Sequence, residues 1–584
     1  MKSTPIYKKR EGIAPLATPF FSPSDCPLSE HPRPQFARKG VTVLNGYWDY
    51  AITKSEHLHC DYEGKILVPF SPEFAASGVS HILMPDEVLH YRRTFTLDHV
   101  PAHLFLHFDA VDEHACVVVN GVSAGLHSGG YLPFAFDIAD LVREGENELC
   151  VIVTDPTDTA GVPRGKQTLS PGGIWYTPQS GIWQSVWLEE TPETYIPSVK
   201  ITPDIDANEV HFTFPVDGVS LTVFDGNNRY FALAEGKTAT VRLQNPKLWS
   251  PEAPNLYRVC FRLGEDRVES YFAMRKFSIV EDSRGHKRLA LNNKPYFHNG
   301  VLDQGYFPES GLTPPSDEAM INDILAAKGL GMNMLRKHIK TEPMRFYYHC
   351  DRLGMLVWQD LVSGGRDYAF PVIAALPFIG IHLKDGKKNY RRFKRENEVE
   401  RALFFAFAKE MVEHFYNVPS IALYTVFNEG WGQFESERLT AVLKEIDDTR
   451  TYDSVSGWHD QGKGTSDLKS YHIYYKKFRM PKKEARCVVL SEFGGYSLPM
   501  VGHMFTPDKL FGYRMYKTTD ELQAAVRALY EREVLPAVKE GLSATVYTQL
   551  SDVEEEINGI LTYDRRINKF AGMDLSISYS PADL

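Results

Sequence analysis

IALYTVFNEGWGQF, Ile421 to Phe434, is an apolar run that closes on a carboxylate, Glu429. CVVLSEFGGYSL, Cys487 to Leu498, does the same with Glu492, sixty-three positions further on. A buried strand end is a costly place for charge, so two such endings ask for a chemical reason. Around them, from Glu281 onward, helical stretches alternate with apolar strands: PYFHNGV, MNMLRKH, MLVWQD, IALYTVFNE, DSVSGW, KSYHIY, CVVLSEFG and ATVYTQL. Between most of these lie helix patterns such as EVERALFFAFAKEMVEHF, where Val399, Leu403, Phe407 and Met411 recur every fourth residue. Eight strands alternating with helices in about 300 residues is the count for a (β/α)8 TIM barrel. A doubly wound open sheet is the competing reading, but no glycine-rich phosphate loop follows the first strand. Barrel active sites lie at the C-terminal strand ends. Glu429 closes strand four and Glu492 strand seven, so the two carboxylates are expected to face each other across the mouth.

Upstream the rhythm differs. YRRTFTL, LFLHFDAV, ACVVVNG, ELCVIVTD and SVWLEE are short strands punctuated by turns such as Asn120-Gly121, which predicts an antiparallel β-sandwich between Val41 and Glu190. VHFTFPV, VSLTVFD, ATVRLQ and YRVCFRL predict a second, smaller, immunoglobulin-like sandwich. The expected division is therefore 1–190 for an arm and first sandwich, 191–280 for the second, and 281–584 for the barrel.

The 584 residues carry a net charge of −11, which argues against a dedicated nucleic-acid binder. One basic run, Lys384 to Arg395 in KDGKKNYRRFKRE, reads first as a solvated loop and helix start, and second as an anion or docking surface. No apolar signal region opens the chain, and no run approaches the ~18 apolar residues that a membrane span needs. Seven cysteines (26, 60, 116, 150, 260, 350, 487) are scattered singly, as in a reduced cytoplasmic protein. A cytoplasmic location, without membrane or nucleic-acid partners, is the expectation.

Two carboxyls flanking one bond are the equipment for glycoside hydrolysis. Asn428 precedes Glu429 and suits a sugar hydroxyl, and Trp431 two residues on is expected to wall the pocket and raise the acid's pKa. Glu492 precedes Phe493-Gly494-Gly495, a turn that a ligand is expected to approach closely. Glu429 is accordingly assigned as acid/base and Glu492 as nucleophile. His298, His338, His459 and His472 fall near strand ends, but no HxH or HExxH spacing supports a metal-dependent hydrolase. The four are therefore read as hydrogen-bonding to sugar hydroxyls or to backbone, with His338, His459 and His472 as candidate substrate contacts. Trp358, Trp431 and Trp458 are candidate sugar platforms, with core packing as the plainer reading, and Asp360 and Gln549 candidate hydroxyl partners.

At these residues the chain resembles glycoside hydrolase family 2. The resemblance runs from Leu44 to Arg566 through LNGYWDY, YRRTF, SGIWQSVWLE and LWSPEAPNLYRV to FNEGWG, LSEFGG and YTQLSDVEEEINGILTYDRR. It implies a sugar-binding jelly roll, an immunoglobulin-like sandwich and a catalytic barrel, retention of configuration, and assembly as a homo-oligomer. It also implies Asn428 on the 2-hydroxyl, Arg336 supporting the nucleophile, and Tyr474, or else Tyr471, beside that nucleophile. Some members bind Mg²⁺ or Na⁺ near the acid/base, but no full ligand set is legible. Departures bear on the sugar. His338 follows Arg336 by two residues rather than three, with Lys340 beyond it. The Asn-x-Lys element with which β-glucuronidases grip a uronate is replaced by EEEINGI, and strand one ends in Asp303 and Gln304. The first-domain loop GGIWYTPQSG offers Trp175 and Tyr176 where a carboxylate is common.

The sequence reading is thus a retaining exo-glycosidase acting on a terminal neutral sugar of a small carbohydrate or glycoside, β-galactosidase first. A β-glucuronidase, a β-mannosidase or β-glucosidase, and a β-galactofuranosidase or α-L-arabinofuranosidase are alternatives, and a non-catalytic carbohydrate-binding protein is the rival from another class. No organic cofactor is expected, because carboxylates break the bond.

Overall fold

The computed structural model describes residues 6–57, 61–366 and 368–579. Cys60 lies outside these. In the first sandwich, a six-stranded antiparallel sheet faces a four-stranded one. One of its two longest strands, Gly145–Thr154, turns Leu149, Val151 and Val153 inward, the two-residue alternation of a strand packed on a core. The second sandwich pairs a three-stranded sheet with a four-stranded one around Phe212, Leu221 and Val259. Both are antiparallel, as short connections demand.

The parallel barrel is built from His298–Asp303, Met334–Lys337, Leu356–Asp360, Ile421–Thr425, Thr451–Asp453, Leu468–Ile473, Cys487–Gly494 and Leu542–Thr548, here strands one to eight. The ladder runs unbroken from five back through one to eight, seven and six. At the seam between five and six, one backbone bond, Asp467 N–H to Tyr452 O at 2.9 Å, is joined by side-chain bonds: Tyr452 N–H donates to Asp467 at 2.8 Å and Ser454 N–H to Ser466 Oγ at 3.1 Å. Strand five consequently stops at Asp453, where the expected DSVSGW strand begins. Met334, Leu356, Trp358, Leu423, Val489 and Val546 fill the interior, and Leu289 and Leu291 close its floor.

The helix after the strand-three loop, Glu398–His414, is capped by Asn397, which accepts from Val399 N–H at 2.9 Å. Its buried face is Phe404, Ala408, Met411 and Val412, whereas Val399 and Leu403 are exposed. The every-fourth-residue stripe read from the sequence is corrected here, because a four-residue step overshoots one turn by about 40° and the stripe winds off the core.

Two devices bind the parts together. The arm preceding the first sandwich places Arg38 bidentate on Asp266 at 2.8 and 2.9 Å, and Arg33 on Glu189 at 3.0 Å. On the barrel side, all three acids of EEEINGI accept from the first-domain side. Glu554 takes Thr177 N–H at 3.0 Å and the Arg10 guanidinium, Glu555 takes Gly173 N–H at 2.9 Å, and Glu556 takes the Tyr176 hydroxyl. Within the basic run, Lys384, Lys387, Lys388, Arg391 and Arg392 are exposed. Arg395 is instead fully buried, donating to Gly432 O at 2.8 Å and Gly161 O at 3.2 Å. No helix among the described residues is long and apolar enough to cross a membrane.

Candidate active site

Glu429 lies beyond the end of strand four, with its backbone in the left-handed region at φ 50°. A residue bearing a Cβ pays roughly 1–2 kcal/mol for that conformation. Two hydrogen bonds to the strand-five loop hold it there: Glu429 N–H to Ser456 O at 3.0 Å and Ser456 N–H to Phe427 O at 2.8 Å. Gly432 of the same motif touches the next loop so closely that a Cβ would fall 2.0 Å from Gly364 O. The turn delivers the carboxylate inward.

Glu492 rides on strand seven and is gripped from two sides. Arg336 donates to Glu492 Oε1 at 3.1 Å, and the Tyr474 hydroxyl donates to Oε2. Arg336 is wholly buried and spends its remaining donors on Asp360, at 3.0 Å twice, on Ser491 O at 3.0 Å and on Asn428 Oδ1 at 2.8 Å. That last bond fixes the Asn428 amide and leaves its Nδ2 buried without a partner. Such an orphan donor calls for a ligand acceptor.

His472, on strand six, lies between the carboxylates. Its Nδ1 is 2.6 Å from Glu429 and 3.4 Å from Glu492, and its Nε2 is 2.9 Å from Ser456 Oγ. One oxygen of each glutamate and a nitrogen of His472 lie within 4.8 Å of one another. Burial raises the Glu429 pKa above its ordinary value, against the opposing bond from His472. Burial also pushes Glu492 upward, but the charges of His472 and Arg336 outweigh it and hold that carboxyl below its ordinary value. These three side chains are also the one group among the described residues whose donors converge as metal ligands would. Hydrogen bonds from His472, Arg336 and Tyr474 already close them, however, which is not the open oxygen cage that Mg²⁺ or Na⁺ takes.

The remaining sequence candidates separate. Trp431 and Trp458 line one cavity with Glu429, His472 and Tyr474. Asp360 and His338 form a support, with His338 Nδ1 2.8 Å from Asp360 and burial pushing the imidazole down to about 4. Trp358 takes its plainer reading, core packing, and His298, Asp303 and His459 are engaged by protein groups. Trp358 belongs to the barrel interior and donates to His298 Nδ1 at 2.9 Å. His298 opens strand one, at the end away from the mouth. Asp303 is ion-paired to Lys337 at 2.7 Å, in a network that continues through Glu342 to Lys340. His459 accepts from Leu383 N–H at 3.0 Å and lies 2.7 Å from Val372 O, so it pins the strand-three loop. Gln549 accepts from Gln304 at 2.9 Å and donates to Asn558 at 2.8 Å, which uses one of its two N–H groups and one of its two acceptor positions. The space that Gly494 and Gly495 leave is filled by the rings of Tyr547 and Tyr513 rather than left for a ligand.

One residue was missed altogether. Lys166, from the first domain, is buried with its ammonium 5.2 Å from the Tyr176 ring and 5.8 Å from that of Trp431. Burial lowers its pKa, while the negative charges of Glu556, Glu492 and Glu429 oppose that shift. It forms no ion pair within 4 Å among the described residues. A single lysine in PRGKQT carries no pattern that would reveal it, because only the docking of two domains brings it to the mouth.

A barrel that brings two glutamates together at its mouth, behind two β-sandwiches, defines the class of multidomain glycoside hydrolases. Family descriptions agree along the chain: "Glycosyl hydrolases family 2, sugar binding domain" matches residues 79–192, "Glycosyl hydrolases family 2" matches 194–275, and "Glycosyl hydrolases family 2, TIM barrel domain" matches 284–569. The chain belongs to glycoside hydrolase family 2. It is 25% identical over 451 residues to a putative beta-glucuronidase of Formosa agariphila, covering 67% of this chain and 48% of that protein. It is 23% identical over 442 residues to a beta-galactosidase of Thermoanaerobacter pseudethanolicus, covering 70% and 54%. The chain thus spans about half the length of these curated relatives. Among solved structures, a beta-glucuronidase of an uncultured Clostridium sp. superposes with a TM-score of 0.71 at 18% identity, covering 92% of this chain and 97% of that one. A beta-galacturonidase of Eisenbergiella tayi gives 0.67 at 20% identity, covering 92% and 96%. At such identities these two speak for the fold alone.

Proposed function

We propose that the chain is a retaining, exo-acting glycosidase that removes a terminal neutral sugar by double displacement. Glu492 attacks the anomeric carbon, and Glu429 protonates the leaving oxygen and then deprotonates the water that releases the sugar. Asn428 Nδ2 donates to the 2-hydroxyl, and Arg336 and Tyr474 hold the nucleophile ionised. The observation that carries the reading is geometric: Glu492 is held by Arg336 at 3.1 Å and by Tyr474, while Glu429, across His472 at 2.6 Å, forms part of the cavity wall. Oxygens within 4.8 Å suit the roughly 5–5.5 Å of a retaining pair better than the roughly 6.5–9.5 Å of an inverting one.

A neutral glycone, β-galactoside first, is favoured by Glu556 and Asn558, which stand in EEEINGI where a uronate-gripping element would be. A second reading, a uronide, has Lys166 in its favour, a buried cation without an ion pair. Lys166 donates to ring hydroxyls in the first reading and to a carboxylate in the second. Initial rates on nitrophenyl β-galactopyranoside, β-glucuronide, β-glucoside, β-mannoside, β-galactofuranoside and α-L-arabinofuranoside separate them. Inertness toward all six overturns the enzymatic reading in favour of carbohydrate binding. Six described cysteines, all without a disulfide, support a cytoplasmic location, and a homo-oligomer formed through the sandwiches remains part of the proposal.

A further inference from the structure

The cavity at the barrel mouth has a volume of about 560 Å³, more than one sugar ring needs, and its composition is uneven. Glu429, His472 and Tyr474 belong to its wall and Glu492 does not, so it opens on the side of the group that protonates the departing oxygen. The rest is largely aromatic or aliphatic, supplied by Trp175 of the first domain, Ile373 and Phe378 of the strand-three loop, Trp458, and Tyr475 and Tyr513. At its rim apolar side chains stand in solvent: Phe370 is 70% exposed, Phe378 56% and Tyr475 52%. Exposed apolar groups gathered beside a pocket mark a binding surface.

Apolar surface predominates there, and several of the polar groups are engaged. Lys469 is held by Asp460 at 2.8 Å, and Lys476 lies over the Phe378 ring at 5.3 Å. A second sugar would bring several hydroxyls into walls that offer them little, and each unpaired hydroxyl costs binding. The loop bearing Ile373 and Phe378 is also fixed: one imidazole, His459, contacts Val372 O and Leu383 N–H on either side of it.

Resting on the glycosidase reading above, we infer that the leaving group is a flat, apolar aromatic alcohol rather than another sugar, seated between Trp458 and the Phe378 side of this cavity. Turnover then depends on the aglycone through KM, independently of its acidity.

The test compares 2-(2-naphthyl)ethyl and ethyl glycosides of the sugar preferred in the panel, whose alcohols leave about equally well and differ in apolar surface. The expected kcat/KM is at least tenfold higher for the naphthylethyl compound, expressed in KM. Phe378→Ser is expected to shrink that ratio at least tenfold, and Phe378→Trp to keep it. Equal rates for the two substrates, or a ratio unmoved by Phe378→Ser, overturns the inference. Calorimetry with 2-(2-naphthyl)ethanol alone reads the site without catalysis. Saturable binding weakened by Phe378→Ser upholds the cavity assignment even if no glycoside is cleaved, and absence of binding refutes it even if glycosides are.

Discussion

Lys166→Met is the most informative single change, because it separates activity from stability. The methionine keeps the length of the side chain and removes only the ammonium. If Lys166 donates to the bound sugar, the lost bond is that of a charged donor, about 1.5–3 kcal/mol. At about 1.4 kcal/mol per tenfold, kcat/KM should fall roughly ten- to a hundredfold. Stability should move the other way or stay still. Burial holds the folded-state pKa of Lys166 below its ordinary value, so the charged form is penalised on folding and its removal relieves that penalty. Its backbone carbonyl, which accepts from Tyr176 N–H at 3.0 Å, is untouched by the substitution. Initial rates across the glycoside panel and thermal unfolding of both proteins measure the two quantities. An even loss on neutral substrates with an undiminished Tm is the expected result, whereas a loss confined to uronides would select the second reading. Unchanged rates on every glycoside, or a Tm that falls with the activity, would refute the argument and make Lys166 an internal strut for Glu556.

Glu492→Ala should abolish turnover, and azide should restore part of it as the glycosyl azide of inverted configuration; activity at the wild-type level would remove Glu492 from the nucleophile role. Glu429→Ala should spare dinitrophenyl glycosides in the first step and cost alkyl glycosides about 10²–10⁴-fold, whereas equal losses on both would count against an acid. The pH profile of kcat/KM should be a bell, its acidic limb below the ordinary carboxyl value for Glu492 and its alkaline limb above it for Glu429. His472→Asn should carry both limbs to higher pH, because His472 lowers both carboxyls; a shift of neither limb would show that it does not bridge them.

Much of this was legible in the chain because it rests on local pattern. Alternation of strand and helix marked seven of the eight barrel strands, with the fifth, DSVSGW, set almost wholly beyond Thr451–Asp453, and the apolar runs ending at Glu429 and Glu492 marked the pair. What escaped depends on partners distant in sequence. That Asp303 answers to Lys337 rather than to a ligand follows from which face of a strand each side chain takes. Nothing around His459 foretold that it would fasten a loop about eighty residues upstream. Trp358 and Trp431 look alike as letters, yet one lies within strand three and fills the barrel, and the other lies six residues past the end of strand four and walls a cavity. EEEINGI was read through its charge alone, and its hydrogen bonds to Arg10, Gly173, Tyr176 and Thr177 become visible only when the first domain is in place.

That acidic strip ties the shape of the site to the docking of distant segments. Glu554 and Arg10 are 544 positions apart, so the ion pair can form only after Glu554 has been made. Without the first domain, Glu554 and Glu555 lack the donors they have in the finished fold, and the cavity lacks the wall that Trp175 provides. A barrel severed from its first sandwich would keep both glutamates and still be unable to shape a site around them. The interface thus makes the shape of the cavity depend on the first sandwich as much as on the barrel.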